Sequence, residues 1–211
     1  YGSDGPLGKV FRTDLPVLAD PAEMLAKLAE APNAEAATRA PWVESIRSFI
    51  DGFMAYTPVD AADGIDFGEV VTALAAEAPK DAILTTDSGN MSTWVHRHWR
   101  MSPANTLLGA IGGAMGFGVP AGVAAALRSP QRRVIVFVGD GGVLMTGQEL
   151  ATAVQYGARL TIVISDNGTY GTIRTHQERH FPKRVSGTRL VNPDFTQWGA
   201  SFGAKAVTIA K

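Results

Sequence analysis

The chain has 211 residues, 45% of them hydrophobic, with 19 Lys+Arg against 20 Asp+Glu and a formal net charge of −1. That balance leaves no electrostatic footprint for nucleic acid or an anionic membrane, and no apolar run approaches the roughly 18 residues that span a bilayer. The absence of Cys excludes a disulfide scaffold, a Cys-ligated zinc site and a thiol nucleophile, and it accords with a cytoplasmic location.

Residues 1–19 are Gly/Asp/Pro-rich and then apolar at Leu15-Pro16-Val17-Leu18, which reads as a short strand. Asp20, Pro21 and Glu23 follow as N-cap, first helical position and third, a capping-box arrangement. Met24, Leu25 and Leu28 line one face of the helix so begun. Residues 1–31 thus read as the tail of a preceding central α/β domain. Residues 32–65 read as a linker with an amphipathic helix. Positions 32–40 carry no periodicity, whereas Trp42, Val43, Ile46, Phe49, Ile50 and Phe53 recur at helical spacing.

From Asp66 helix and strand alternate. Asp66 and Glu69 form a second capping box. Ile83–Thr86 reads as a strand, and Met115–Leu127 as a helix of small residues. Arg133–Val138 reads as a strand buried on both faces, Gln148–Tyr156 as a helix, and Leu160–Ser165 as a second buried strand. Strand, helix, strand at this spacing is a βαβ unit with a right-handed crossover. The fold class is α/β, a doubly wound, mostly parallel sheet flanked by helices, with ligands at the carboxyl ends of the strands. Ala206–Lys211 reads as the middle of a further strand. The domain at 66–211 is therefore expected to be truncated at its C-terminus, as a piece of a larger chain.

Two of these strands end in polar residues, Gly139-Asp140-Gly141-Gly142 and Asp166-Asn167-Gly168-Thr169. Asp140 and Asn167 lie 167 − 140 = 27 positions apart, one βαβ repeat, so both stand at the same sheet edge. A carboxylate, an amide oxygen and a main-chain carbonyl are hard ligands suited to Mg²⁺ or Ca²⁺. Gly141 and Gly142 let backbone N–H groups face a phosphate at a helix start. The glycines do not continue as a dinucleotide fingerprint, because Met145 occupies the last glycine position. No Lys follows to make a phosphate-binding P-loop. Metal and phosphate together suggest a diphosphate held through Mg²⁺. An unrelated Mg²⁺/phosphate-handling α/β domain, such as a phosphatase or phosphotransferase, remains an alternative on residue type alone.

The stretch GDGGVLMTGQELATAVQYGARLTIVISDNGTYG resembles the cofactor motif of the thiamine-diphosphate-dependent enzymes, in particular the acetolactate synthase, benzaldehyde lyase and benzoylformate decarboxylase group. Leu108–Pro120 resembles the segment beneath the cofactor, and Asp87-Ser88-Gly89-Asn90 its first phosphate-side turn. The resemblance covers residues 66–211 as the diphosphate-side domain. It implies that Asp140, Asn167 and the Thr169 carbonyl ligate Mg²⁺. It further implies that Gly89, Asn90, Gly139, Gly141, Gly142, Tyr170 and Gly171 contribute to cofactor binding. Gly113 and Met115 would bind the aminopyrimidine edge, with Met115 wedged between the two rings. The bend would bring the exocyclic amine to the thiazolium carbon, whose ylid attacks a carbonyl.

The implied activity is that of a lyase or transferase, decarboxylating a 2-oxo acid or joining or cleaving a carbon–carbon bond, with a 2-oxo acid or aldehyde as substrate. The family's pyrimidine-activating Glu lies in an N-terminal domain that no part of this chain resembles. The implied partner is that domain of a neighbouring subunit, in a homodimer or homotetramer. The chain alone is then expected to be inactive, or to be a binding-only module or split subunit. A flavin (FAD), bound by some relatives, has no signature in these residues.

Three positions depart from the family pattern. Asp166-Asn167 stands for Asn-Asn, and Asp166 is read as a strand cap. Ile173 stands where the pyruvate decarboxylases carry a proton-relaying Glu, which argues against that reaction. His176 replaces the substrate-shaping Trp of the acetolactate synthases and is a candidate to face substrate. His176 and His180 could instead share a helix face as a zinc pair. His96 and His98, among Trp94 and Trp99, read as packed aromatics, and Arg132-Arg133 as solvated surface.

Overall fold

The computed structural model of the protein describes residues 8–32, 36–62 and 64–210. These fall into two compact units, divided between Ile50 and Asp51.

In the first unit, helix α1 (Pro21–Glu30) starts where the sequence places it. The Asp20 side chain accepts the Ala22 N–H at 2.8 Å and the Glu23 N–H at 3.3 Å, with Pro21 in the first turn. Those are two of the donors that a helix start leaves unpaired. Leu15–Leu18 forms no strand; the stretch is exposed and has no ladder partner among the described residues. Residues 1–7, also expected in the preceding domain, lie outside the described residues. Helix α2 (Ala36–Met54) begins inside the stretch read as linker, with Pro41 within it. Helix-forming Ala36, Ala37, Arg39 and Ala40 support that early start.

The second unit holds α3 (Phe67–Glu77), β1 (Ile83–Thr86), α4 (Asn90–His98), β2 (Thr106–Gly109), α5 (Gly118–Arg128) and β3 (Val134–Gly139). After them come α6 (Asp140–Thr146), a 3₁₀ turn (Gly147–Glu149), α7 (Leu150–Gln155), β4 (Leu160–Ser165), α8 (Gly171–His180) and α9 (Phe195–Ser201). Asp66 caps α3 by accepting the Gly68 N–H at 2.9 Å. The four strands are parallel in the order β2-β1-β3-β4. Residues 204–210 run without a ladder partner, with Val207 and Ile209 exposed, so the strand read at Ala206–Lys211 is not present among the described residues. No helix among them is long and apolar enough to cross a membrane.

The unbroken apolar run of β3 follows from coverage on both faces. Val134, Val136 and Val138 pack with Val119, Ala125, Ala126 and Val143 from α5 and α6. Ile135 and Phe137 pack with Val71, Val95 and Trp99 on the opposite face. Helix α5 approaches closely because Gly122 faces the sheet, where a Cβ would lie 2.3 Å from Val136 Cγ2.

Arg132 does more than meet solvent. Its guanidinium donates to the Asp81 carbonyl at 2.7 Å, the Ala104 carbonyl at 3.2 Å and Thr106 Oγ1 at 3.1 Å. It thereby ties together the amino ends of β1 and β2. The aromatic reading of His98 agrees with its stacking on Trp94 and its edge contact with Tyr56.

Candidate functional site

The strand order creates a crevice. From β1 the chain turns to β2 on one side, then crosses to β3 on the other, so the carboxyl ends of β1 and β3 diverge into loops. Such a switch point is where open parallel sheets receive ligands. Asp87 to Asn90 leave β1 there, and Asp140 leaves β3. Because Gly139 is in register with Ser165, Asp140 and Asp166 stand level and Asn167 lies one position beyond.

Asp140 is buried, and both of its oxygens are engaged. Oδ1 accepts the Gly141 N–H at 2.8 Å. Oδ2 accepts the Gly168 N–H at 2.8 Å and the Asn192 side-chain amide at 2.8 Å. Gly168 can present its N–H this way because it has a φ of +64°, a conformation that disfavours any residue with a Cβ.

The loop after β4 is itself anchored. Leu190 N donates to the Gly168 carbonyl at 2.8 Å, Tyr170 N to the Thr188 carbonyl at 2.8 Å, and Thr169 Oγ1 to the Thr188 carbonyl at 2.9 Å. Asn167 Oδ1 accepts the Thr169 N–H at 3.1 Å, and the Thr169 carbonyl accepts the Gly171 N–H at 2.8 Å. Asn167 Oδ1, the Thr169 carbonyl and Asp140 Oδ1 therefore each carry one such bond. Each oxygen retains acceptor capacity. Three hard oxygens with spare lone pairs fit a small divalent cation.

Two glycines let neighbouring groups close in. A Cβ on Gly141 would lie 2.4 Å from the Tyr170 ring, and one on Gly142 would lie 2.1 Å from Asp87 Oδ2. Met115 Cε sits 3.4 Å from the position of that Gly141 Cβ. The loop bearing Met115 is held by Asp87, whose carboxylate accepts the Gly116 N–H at 2.9 Å and the Phe117 N–H at 3.1 Å. On the far side, Thr172 Oγ1 donates to Asn90 Oδ1 at 2.8 Å, joining the starts of α8 and α4.

These groups enclose a pocket of about 220 Å³. It is lined by Ser88–Met91, Gly113, Met115, Gly139–Gly142, Ser165, Asn167 and Thr169–Ile173. The structure thus brings together Gly89, Asn90, Gly113, Met115, Gly139, Asp140, Gly141, Gly142, Asn167, Thr169, Tyr170 and Gly171. It does not bring His176 into the lining; that side chain is exposed on α8. The His176 and His180 rings lie parallel with centroids 6.1 Å apart, and no group of three His, Cys, Asp or Glu suited to a metal occurs among the described residues. No Lys or Arg lines the pocket, and Asp140 is its sole carboxylate among the described residues.

The sequence placed Asp87 in the first phosphate-side turn without a role for its side chain, and it left out Asn192. Asp87 has a local signal, an acid directly after a buried strand. Asn192 has none, since it reaches Asp140 across 52 positions of chain.

Residues 87–211 match the family described as thiamine pyrophosphate enzyme, C-terminal TPP binding domain. The chain is 35% identical over 208 residues to the acetolactate synthase large subunit of Parasynechococcus marenigrum, covering 96% of this chain and 33% of that protein. It is 32% identical over 209 residues to the pyruvate oxidase of Lactiplantibacillus plantarum, covering 97% and 34%. Among solved structures it resembles the thiamine diphosphate-dependent 4-hydroxybenzoylformate decarboxylase of Rhodococcus jostii RHA1, with a TM-score of 0.69, 29% identity, and coverage of 74% of this chain and 30% of that one. The chain spans about a third of the length of the curated relatives it matches.

Proposed function

The chain belongs to the thiamine pyrophosphate enzymes through their C-terminal cofactor-binding domain, and on that premise we propose that it binds thiamine diphosphate through Mg²⁺ as part of a 2-oxo acid decarboxylase or carboligase. The observation that carries the metal is the charge of the pocket. A diphosphate must be neutralised, yet the described lining offers one carboxylate and no basic side chain. A divalent cation on Asp140 Oδ1, Asn167 Oδ1 and the Thr169 carbonyl reconciles an acid with an anion.

In this reading Gly89, Asn90, Gly139, Gly141, Gly142, Tyr170 and Gly171 receive the diphosphate end. Gly113 and Met115 receive the aminopyrimidine edge, and Met115 sets the ring conformation with its apolar side chain. Bound thiamine diphosphate supplies a nucleophilic thiazolium carbon and an electron sink for the carbanion formed next to it. Ile173, which lines the pocket at the start of α8, borders the 2-oxo acid or aldehyde substrate.

The pocket also lacks a Glu or His for proton transfer among the described residues. That group is proposed to come from an N-terminal pyrimidine-binding domain of a partner subunit, in a homodimer or homotetramer. The same observation favours a second reading for the 211 residues taken alone, which bind the cofactor without turning it over.

Calorimetric titration of thiamine diphosphate with and without Mg²⁺ tests the proposal. Saturable, Mg²⁺-dependent binding is expected. Binding of simple phosphate esters with indifference to thiamine diphosphate would replace it with a phosphate-handling domain. Turnover by these residues alone would contradict the assignment of proton transfer to a partner.

A further inference from the structure

Asn192 stands outside the pocket lining and carries an unusual set of bonds. Its side-chain nitrogen donates to Asp140 Oδ2 at 2.8 Å and to Asp166 Oδ1 at 2.7 Å. Both amide hydrogens are thereby committed to carboxylates. Its Oδ1 is buried without a partner among the described residues, so the side chain is held by its two donor bonds alone. Bonds to ionised acceptors are stronger than neutral ones, which is how a half-buried loop residue is kept in one orientation.

The consequence falls on Asp140. Its Oδ2 accepts from both Gly168 N and Asn192 Nδ2, and a carboxylate oxygen has about two lone-pair sites. Oδ2 is therefore full. Oδ1, with the Gly141 N–H as its one bond, keeps one site. Asp140 can then offer a cation a single oxygen. Mg²⁺ takes compact octahedral shells, whereas the larger Ca²⁺ takes six to eight oxygens and readily uses both oxygens of one carboxylate.

We propose that Asn192 is a positioning residue that, with its anchor Asp166, blocks Asp140 Oδ2 and so makes the site prefer Mg²⁺ to Ca²⁺. This rests on the reading of Asp140 as a metal ligand. Removal of the Asn192 amide frees Oδ2, opens a second coordination site on the same carboxylate and favours the larger ion. Loss of the Asp166 charge loosens the hold on Asn192 and acts in the same direction, to a smaller extent.

The test uses the full gene product, stripped of cofactor and metal and titrated with Mg²⁺ or Ca²⁺ at saturating thiamine diphosphate. In Asn192→Ala the ratio of Mg²⁺ to Ca²⁺ affinity is expected to fall about tenfold, the scale of outer-shell changes at metal sites. In Asp166→Asn, an exposed substitution that retains an acceptor for the amide, it is expected to fall about twofold. Equal weakening of both ions in Asn192→Ala, or an unchanged ratio, overturns the role of Asn192 by showing that the residue is merely structural or inert. If Asn192→Ala does not fold, the Asp166→Asn ratio decides, and an unchanged value overturns the proposal. Metal-independent cofactor binding by the unaltered protein would instead overturn the proposed function itself.

Discussion

The buried carboxylate of Asp87 accepts the Gly116 N–H at 2.9 Å, joining the end of β1 to the loop that carries Met115 across 29 positions of chain. Further bonds from Phe117 N at 3.1 Å and Ser88 N at 2.9 Å complete its coordination by backbone. Gly116 makes the approach possible with a φ of +83°, and its carbonyl accepts from Thr146 Oγ1 at 2.8 Å. The Asp87 side chain therefore locks two segments together at the mouth of the crevice, and Thr146 ties α6 to them through the Gly116 carbonyl.

Asp87→Ala removes those acceptors and leaves buried N–H groups unpaired. We expect a loss of about 3 kcal/mol in urea unfolding, since bonds to charged groups and orphaned donors are both expensive. Asp87→Asn keeps one oxygen acceptor and should lose less. Equal stability of the wild type and Asp87→Ala would show that the loop holds itself.

The glycines at the site differ sharply in their room. Gly141→Ala drives a methyl into the Tyr170 ring, 2.4 Å away, and should lower stability by about 1–3 kcal/mol while weakening cofactor binding. Gly52→Ala is the control. Gly52 lies inside α2 with nothing within 4 Å of its Cβ position, so the change should stabilise the helix by about 0.5–1 kcal/mol. Thermal melts of the two variants should move in opposite directions.

Acid should undo one helix cap. Hydrogen bonds from the Thr196 hydroxyl and from the Gln197 N–H and side chain hold the Asp194 carboxyl down to about 2, against an ordinary 3.8. A depressed carboxylate contributes stability above its unfolded value and loses it as pH falls through the folded one. The contribution is thus full above about pH 4 and gone below about pH 2. Asp194→Asn should show a shallower loss of α9 stability over that window, read by hydrogen exchange at Trp198 and Gly199. A parallel acid profile in both proteins would exclude Asp194 as the source.

Legibility in the sequence followed the length of the apolar run. Strand β3 was readable to within one residue, because a strand covered on both faces is a bare apolar run. Strand β4 was readable to the residue from six residues of the same kind, although it is only partly covered at the sheet edge and not buried as expected. Strand β2 was not, since its Thr106–Gly109 is short, partly exposed and at the sheet edge. Helix α4 was hidden because its buried apolar positions are Met91 and Val95 within a polar stretch. Asp140 and Asn167 could be placed together at one sheet edge because a strand end is a local feature. The partners of Asp140 at Gly168 and Asn192 could not, because folding alone brings residues 28 and 52 positions away onto one carboxylate. The strand read at Ala206–Lys211 shows the converse limit, since apolar alternation makes a strand only beside a partner.

The most direct measurement is the affinity of thiamine diphosphate for wild type and Asp140→Ala, each titrated with and without Mg²⁺ and with folding verified by circular dichroism. Mg²⁺ is expected to strengthen binding in the wild type and to have no effect in the variant. An Asp140→Ala protein that keeps its fold and its full Mg²⁺-dependent affinity would contradict that expectation.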